Sequence, residues 1–378
     1  GNFLDIGHGV DGSTWVIFHE SPANTLTAAE YVGNGAGTGC SVSDDWSCTV
    51  VDGAIASDVA PYMSIDVDVF GKPHISYQKD DNQWYARYVG GGGTGCESGA
   101  WECVLVRDEP GSVVVGTYNS IVVSEDGKTV WIASQLEDGF NDLTVATNGG
   151  GGESCTGGSE GWSCYLVDDS GTDTGRFTAI ALDNEQMPWI KYQDLGSTET
   201  IVAHFVGSGG AGCGSGVESW TCYVVDNVTS PGAFGGIVVD KDGAPWITYR
   251  HNTEADSHAA KFVGSGGNCD TLRSGSDAWD CWEVVTDSVT GFETIAIGSS
   301  GYPVMAYLDN TADTLWYAEY VGSGGTGCAD TAWSCIDITT NTVVDQQIEL
   351  SVDAQGVAWV VYEGDGDLRI AKQKRSSG

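Results

Sequence analysis

The chain has 378 residues, with 53 Asp and Glu against 15 Lys and Arg, and a net charge of −38 at pH 7. A field of that sign repels nucleic-acid phosphates and anionic lipid surfaces, which excludes nucleic acid as a partner. No apolar run reaches the length of a membrane helix, so membrane insertion is not expected either.

Taken in chain order, one unit recurs. An apolar run leads to a turn, usually containing Asp and Gly, and returns as a strand that usually carries Trp. These return strands are Thr14 to Phe18, Pro73 to Tyr77, Val130 to Ser134, Pro188 to Tyr192, Pro245 to Tyr249, Pro303 to Tyr307 and Ala358 to Tyr362. A third strand follows, then a glycine-rich turn ending in Cys, a polar stretch, and Trp-x-Cys. The cysteines thereby pair as Cys40 with Cys48, Cys96 with Cys103, Cys155 with Cys164, Cys213 with Cys222, Cys269 with Cys281 and Cys328 with Cys335. The first member of each pair lies 56, 59, 58, 56 and 59 residues from the next, the period of a repeated supersecondary unit.

The second unit shows the plan: Tyr62 to Val69, Pro73 to Tyr77, Gln83 to Val89 and Trp101 to Arg107. Apolar residues alternate in short runs between turn residues, which is strand patterning. The expected fold is therefore all-β: a seven-bladed β-propeller of four-stranded antiparallel blades, with one local disulfide in each of six blades. Expected blades span 1–54, 55–110, 111–169, 170–228, 229–287, 288–342 and 343–374 of a single domain 1–378, and 375–378 is a polar tail. The return strand occurs seven times and the cysteine phrase six, so the last blade is expected to lack its outer strand. Unless an upstream strand completes it, Leu368 to Ala371 becomes an open edge for contact.

Paired, closely spaced cysteines fit an oxidising compartment better than a metal site, since no CxxC occurs and a lone pair supplies only two zinc ligands. The chain is read as extracellular, secreted or at the cell surface. No cofactor is expected; calcium would suit the acid content, but no EF-hand-like spacing is present to hold it. The series Trp15, Trp131, Trp189, Trp246 and Trp359, and the Trp beside each second Cys, read as core between blades. His74, Val304 and Ser134 depart from the repeat.

The phrases Asp68-Val-Phe-Gly-Lys-Pro-His-Ile-Ser-Tyr77 and Asp240-Lys-Asp-Gly-Ala-Pro-Trp-Ile-Thr-Tyr249 resemble blade repeats of secreted prokaryotic β-propellers, loosely the sialidase-like and Asp-box superfamily. Ser124-Glu-Asp-Gly-Lys-Thr-Val-Trp131 comes close to an Asp box, with its Gly displaced by one residue. The resemblance implies the blade and no activity. A sialidase of that kind would need an arginine trio, and the seven arginines, most of them in outer strands or loops, do not readily assemble one.

Propeller topology puts the loops after the return strands on the face that usually takes ligands. Those loops begin at His19, Gln78, Gln135, Gln193, Arg250-His251, Leu308-Asp309 and Glu363, all but Gln135 after a near-constant aromatic. A ring of aromatics under varied polar groups suits sugar or peptide recognition. The candidate ligand residues are His19, Tyr77, Gln78, Tyr192, Gln193, Tyr249, Arg250, His251, Tyr307, Asp309, Tyr362 and Glu363, with no catalytic set and no metal ligands. The expected function is a binding module for a glycan or an extracellular protein. One alternative is a carbohydrate-active enzyme, a lyase or glycosidase, centred on Tyr249, Arg250 and His251; another is a surface-layer or filament subunit that self-associates through the open blade.

Overall fold

The turn that starts each blade explains the repeat. In the Asp240 turn, one carboxylate oxygen accepts the N–H groups of Asp242 and Ala244, each at 2.9 Å, while Gly243 takes φ +82°. Asp68 holds the N–H groups of Phe70 and Lys72 in the same way around Gly71 (φ +72°), and Asp183 those of Glu185 and Met187. An aspartate that satisfies two turn donors, followed by a residue tolerant of the left-handed region, is what a tight hairpin requires.

The structure, a computed structural model, describes residues 2–374 except 22, 42, 54, 56–61, 171–172, 215–216, 229–230, 287–288, 310–311, 313, 339–343 and 365–366. The expected tail 375–378 lies outside the described residues. The chain is an all-β, seven-bladed propeller, with strands in sequence order within every antiparallel sheet but the third. The second blade runs Met63–Val67, Pro73–Lys79, Asn82–Tyr88 and Trp101–Arg107. In the third blade a two-residue strand, Glu153–Ser154, adds to the outer edge. In the fifth the inner strand is split into Pro231–Ala233 and Ile237–Val239. Among the described residues the seventh blade has three strands, Val344–Val352, Ala358–Gly364 and Asp367–Lys372, so the expected edge at Leu368 to Ala371 is present. A single helical turn, Cys269–Leu272, was not expected; it lies in the widest disulfide loop.

The described residues form two compact units: Gly1–Asp138 with Val145–Tyr165 and Asp353–Gln355, and Gly139–Thr144 with Leu166–Val352 and Gly356–Gly378. Within the first, the inner strand Asn2–His8 packs on Met63–Val67, and that on Val114–Val123. Within the second, Arg176–Leu182 packs on Ile237–Val239, then Val289–Ile297, then Val344–Val352. Tryptophans fill the space between neighbouring blades. The return-strand Trp of one blade meets the outer-strand Trp of the next edge to face, as in Trp15–Trp101 (6.1 Å, 83°), Trp189–Trp279 (6.4 Å, 79°) and Trp246–Trp333 (6.2 Å, 84°). Such pairs contribute about 0.5–1.5 kcal/mol beyond their buried area. Two departures from the repeat are core too: His74 bonds Tyr85 and Asp68, and Val304 is buried.

All six expected disulfides are formed, with Cα–Cα separations from 4.9 Å for Cys155–Cys164 to 5.2 Å for Cys269–Cys281. Each joins the third-to-fourth strand hairpin to its own outer strand. Replacing both Cys96 and Cys103 by Ala is expected to cost about 2.5 kcal/mol, the chain-entropy value for so short a loop. Urea unfolding of the pair variant checks this, and thiol titration of the unreduced, denatured parent should find no free thiol.

Candidate functional site

The return strands continue two residues past the tyrosine, so several residues expected in loops remain in the sheet. Gln78, Gln193, His251 and His19 are buried strand residues. Gln78 donates its side-chain amide to the Val115 carbonyl at 3.4 Å, and Gln193 to that of Pro231 at 2.7 Å, in each case reaching the next inner strand. His251 bonds the Val228 carbonyl through Nε2 and accepts the Glu254 N–H on Nδ1. Burial pulls the His19 pKa below its usual value, so the ring is held neutral.

Three of the tyrosines are clasps. Tyr77 donates its hydroxyl to Asp52 at 2.9 Å, Tyr192 to Asp168 at 2.6 Å and Tyr249 to Asp226 at 2.9 Å. Each Asp ends the outer strand of the preceding blade, six residues after its Trp. Burial, reinforced by the facing carboxylate, pushes all three phenols well above their usual pKa. Between the second and third blades both halves change together: Arg107 stands at the Asp position and Ser134 at the Tyr position, where it accepts the Gln83 side-chain amide at 3.2 Å. Tyr307 is also buried, but Val285 stands where its Asp would be. Asp309 caps the Ala312 N–H at 3.1 Å, and Tyr362 and Glu363 are half-buried in the last blade.

Sequence reasoning placed the inner strands but missed a break in their register. Their pairing slips near the start, between Asn2 and Leu4, Arg176 and Ala179, and Pro231 and Ala233. An aromatic residue stands at or next to each slip. Phe3 (φ 64°), Phe177 (φ 52°), Phe234 (φ 54°) and, in the third blade, Tyr118 (φ 49°) all adopt the left-handed region. For bulky side chains this costs on the order of 1–3 kcal/mol each, and such strain gathers at functional surfaces. None of these rings is fully buried. In the second unit Phe177 meets Phe234 at 4.7 Å, and Phe234 meets Phe292 at 4.2 Å, making one apolar shelf. In the first, Tyr62 meets Tyr118 at 4.6 Å. The signal was in the chain: Phe3, Tyr62, Tyr118, Phe177, Phe234 and Phe292 recur at the blade period.

Charged groups are gathered behind the shelf of the second unit. Fully buried Lys191 donates to the Gly232 carbonyl at 2.9 Å and to the Phe234 carbonyl, which holds the bulge that carries Phe234. Glu293, next to Phe292, is 4% exposed and accepts the Ser257 hydroxyl. Arg250 pairs with Ala233 in the sheet. Burial pushes the Glu293 carboxyl up to about 8, against the Ser257 bond and the Lys191 and Arg250 charges. Burial also drives Lys191 down to about 7, opposed by Glu293. Among the described residues Arg250 Nε and Glu293 Oε1 have no hydrogen-bond partner. They are two of fifteen such atoms among the described residues, most of the others being core Trp and His nitrogens; what sets these two apart is their place beside the exposed aromatic rings.

A further polar cluster is closed by its own cation. Glu254, Asp256 and His258 offer ligand atoms within 4.8 Å of one another. Arg273 fills that space, 3.2 Å from Glu254, 3.0 Å from His258 Nδ1 and 3.1 Å from Glu283. Burial and the Arg273 charge hold His258 neutral, well below its usual pKa. Arg273 thereby ties the cluster into an ion-pair network.

No family model and no curated protein matches the chain. Solved structures match its fold. An α-L-arabinanase of Penicillium chrysogenum complexed with arabinobiose is 11% identical over 85% of this chain and 96% of its own, with a TM-score of 0.50. A GH93 α-L-arabinofuranosidase of Fusarium graminearum is 9% identical over 84% and 94%, with a TM-score of 0.49. The Aleuria aurantia lectin complexed with a fucosyl-GlcNAc disaccharide is 13% identical over 90% and 96%, with a TM-score of 0.48. At such identities the likeness is one of fold.

Proposed function

We propose that this chain is an extracellular glycan-binding propeller that holds its sugar on the Phe177–Phe234–Phe292 shelf. The observation that carries the reading is the shelf itself: aromatic rings kept partly exposed by strained backbone, beside two buried polar atoms without partners. The apolar face of a sugar ring stacks on such rings, while the Arg250 N–H and the Glu293 carboxyl exchange hydrogen bonds with adjacent hydroxyls. Six disulfides support an oxidising, extracellular setting.

A second reading has one specific support. A carboxyl held protonated near neutrality, as Glu293 is, can act as a general acid, which is what a glycosidase would need. Tyr249 and His251, expected to share in an enzyme centre, are buried and bonded within the fold, so Glu293 would take their place.

A glycan array with mass-spectrometric product analysis tests both, with arabino-oligosaccharides as first probes. Binding without turnover is expected, weakened about tenfold, or ~1.4 kcal/mol, by Phe234→Ala and by Arg250→Gln. Cleavage lost in Glu293→Gln would establish the enzyme. Binding indifferent to all three substitutions, or no glycan retained, would overturn the shelf as the site.

A further inference from the structure

Two of the three tyrosine clasps belong to a larger motif, because the return-strand tyrosine there has a ring as its register partner on the third strand, whereas Tyr192 faces Ile201. In the second blade that partner is Trp84. The Tyr77 and Trp84 rings stack at 6.4 Å and 28°, and the chain's own Lys79 lies over Trp84, 5.6 Å from the ring centre, with its ammonium 2.9 Å from both oxygens of Asp52. In the fifth blade the partner of Tyr249 is His258. Those rings stack at 5.4 Å and 22°, and the cation is Arg273, 3.0 Å from His258 and 3.9 Å from Asp226. Two blades thus show one arrangement: paired rings, a carboxylate and an internal cation between them.

The sixth blade keeps the rings and changes the rest. Tyr307 pairs with Trp316, and the rings stack at 6.1 Å and 13°. Trp316 is held in place by its Nε1–H donated to Thr314 at 2.9 Å. The position of Lys79 is taken by Asp309, and that of Asp52 by Val285. A carboxylate thus stands at the position of the internal cation, and among the described residues no lysine or arginine lies over Trp316. What remains is a cleft of about 310 Å³, lined by Tyr307, Trp316, Asp309, Val285, Thr286 and residues 327–329 of the disulfide hairpin.

We infer that this cleft is a receptor for an organic cation, an alkylammonium group resting on Trp316 and paired with Asp309 as Lys79 rests on Trp84 and pairs with Asp52. The indole face attracts the cation through its quadrupole, and the carboxylate adds charge and hydrogen bonds. The chain's net charge of −38 raises the local concentration of such ligands. Lysine side chains and amino sugars both carry the group. The site is independent of the aromatic shelf, so either can fail without the other.

The test is titration of the whole protein at low salt, followed by indole ¹⁵N NMR and calorimetry. The probes are tetramethylammonium, Nα-acetyl-lysine amide and glucosamine, with N-acetylglucosamine as the uncharged control. All three cations are expected to bind with millimolar affinity and to shift one indole signal, assigned through Trp316→Phe, while the control does not. Asp309→Asn should weaken binding about tenfold. The double substitution Val285→Asp with Asp309→Lys rebuilds the second-blade arrangement, so it should fold and bind no cation. The stronger of the lysine and glucosamine arms names the source. Binding that survives the double substitution, equal binding of N-acetylglucosamine, or no cation bound at about 20 mM overturns the inference.

Discussion

Asp240→Ala is expected to destabilise the protein by about 3–5 kcal/mol, the range for breaking a buried charge network. This one carboxylate serves two turn N–H groups, the Trp246 indole N–H at 2.8 Å and the Lys261 ammonium at 3.1 Å. Lys261 in turn lies 5.1 Å from the centre of the Trp246 ring, which stacks on Trp282 and meets Trp333 of the next blade. Alanine would leave a fully buried indole N–H and a half-buried ammonium unpaired, and would loosen the hairpin that sets the inter-blade tryptophan. Burial alone would raise the Asp240 pKa, but the bonds from Trp246, Ala244 and Lys261 outweigh it and hold the carboxyl below its usual value. Its contribution is thus fully present above the ordinary aspartate range and is lost as pH falls through the lower, folded value. Urea unfolding at pH 7 and at pH 3 measures both effects. A loss under 1 kcal/mol at pH 7 would show that water replaces the network without cost.

Glu293→Gln is expected to act in the opposite sense. The Glu293 pKa rises from 4.5 to about 8 on folding. Between those values the unfolded chain has already released the proton and the native state still holds it, so native stability falls by about 1.4 kcal/mol per pH unit. Glutamine does not titrate. The variant should match the parent near pH 4, gain on it steadily, and lead by several kcal/mol at pH 8, beyond which the difference levels off. Unfolding midpoints across that range test it, and a difference independent of pH would mean that Glu293 is ionised in the native protein at all these values.

Most of the architecture was legible in the chain because its signals are local and periodic. Trp-x-Cys marks each outer strand, and the Asp turn marks each inner hairpin. The ends of the return strands misled for a physical reason: Gln78, Gln193 and His251 are polar and read as loop, yet each is buried against a main-chain carbonyl brought up by a neighbouring segment. Nothing in the sequence marks Lys191 as buried either, since only the bulge at 232–234 explains a lysine without exposure. The shelf's aromatics recur at the blade period, but their exposure was not legible, because a left-handed phenylalanine such as Phe234 has no composition signal of the kind glycine gives. The clasps, in contrast, could have been found. Arg107 and Ser134 depart from the repeat as a pair, and Val285 departs alone ahead of Tyr307.

Every disulfide spans 7 to 12 residues and closes within a single blade. In covalent terms the molecule is therefore a plain linear string, since no bridge ties one blade to another. A protease that cut between two blades would leave pieces that part in denaturant without any reductant. During oxidative maturation each cysteine has its mate within a few residues, so pairing can finish blade by blade as the chain emerges, before any distant segment has arrived to compete.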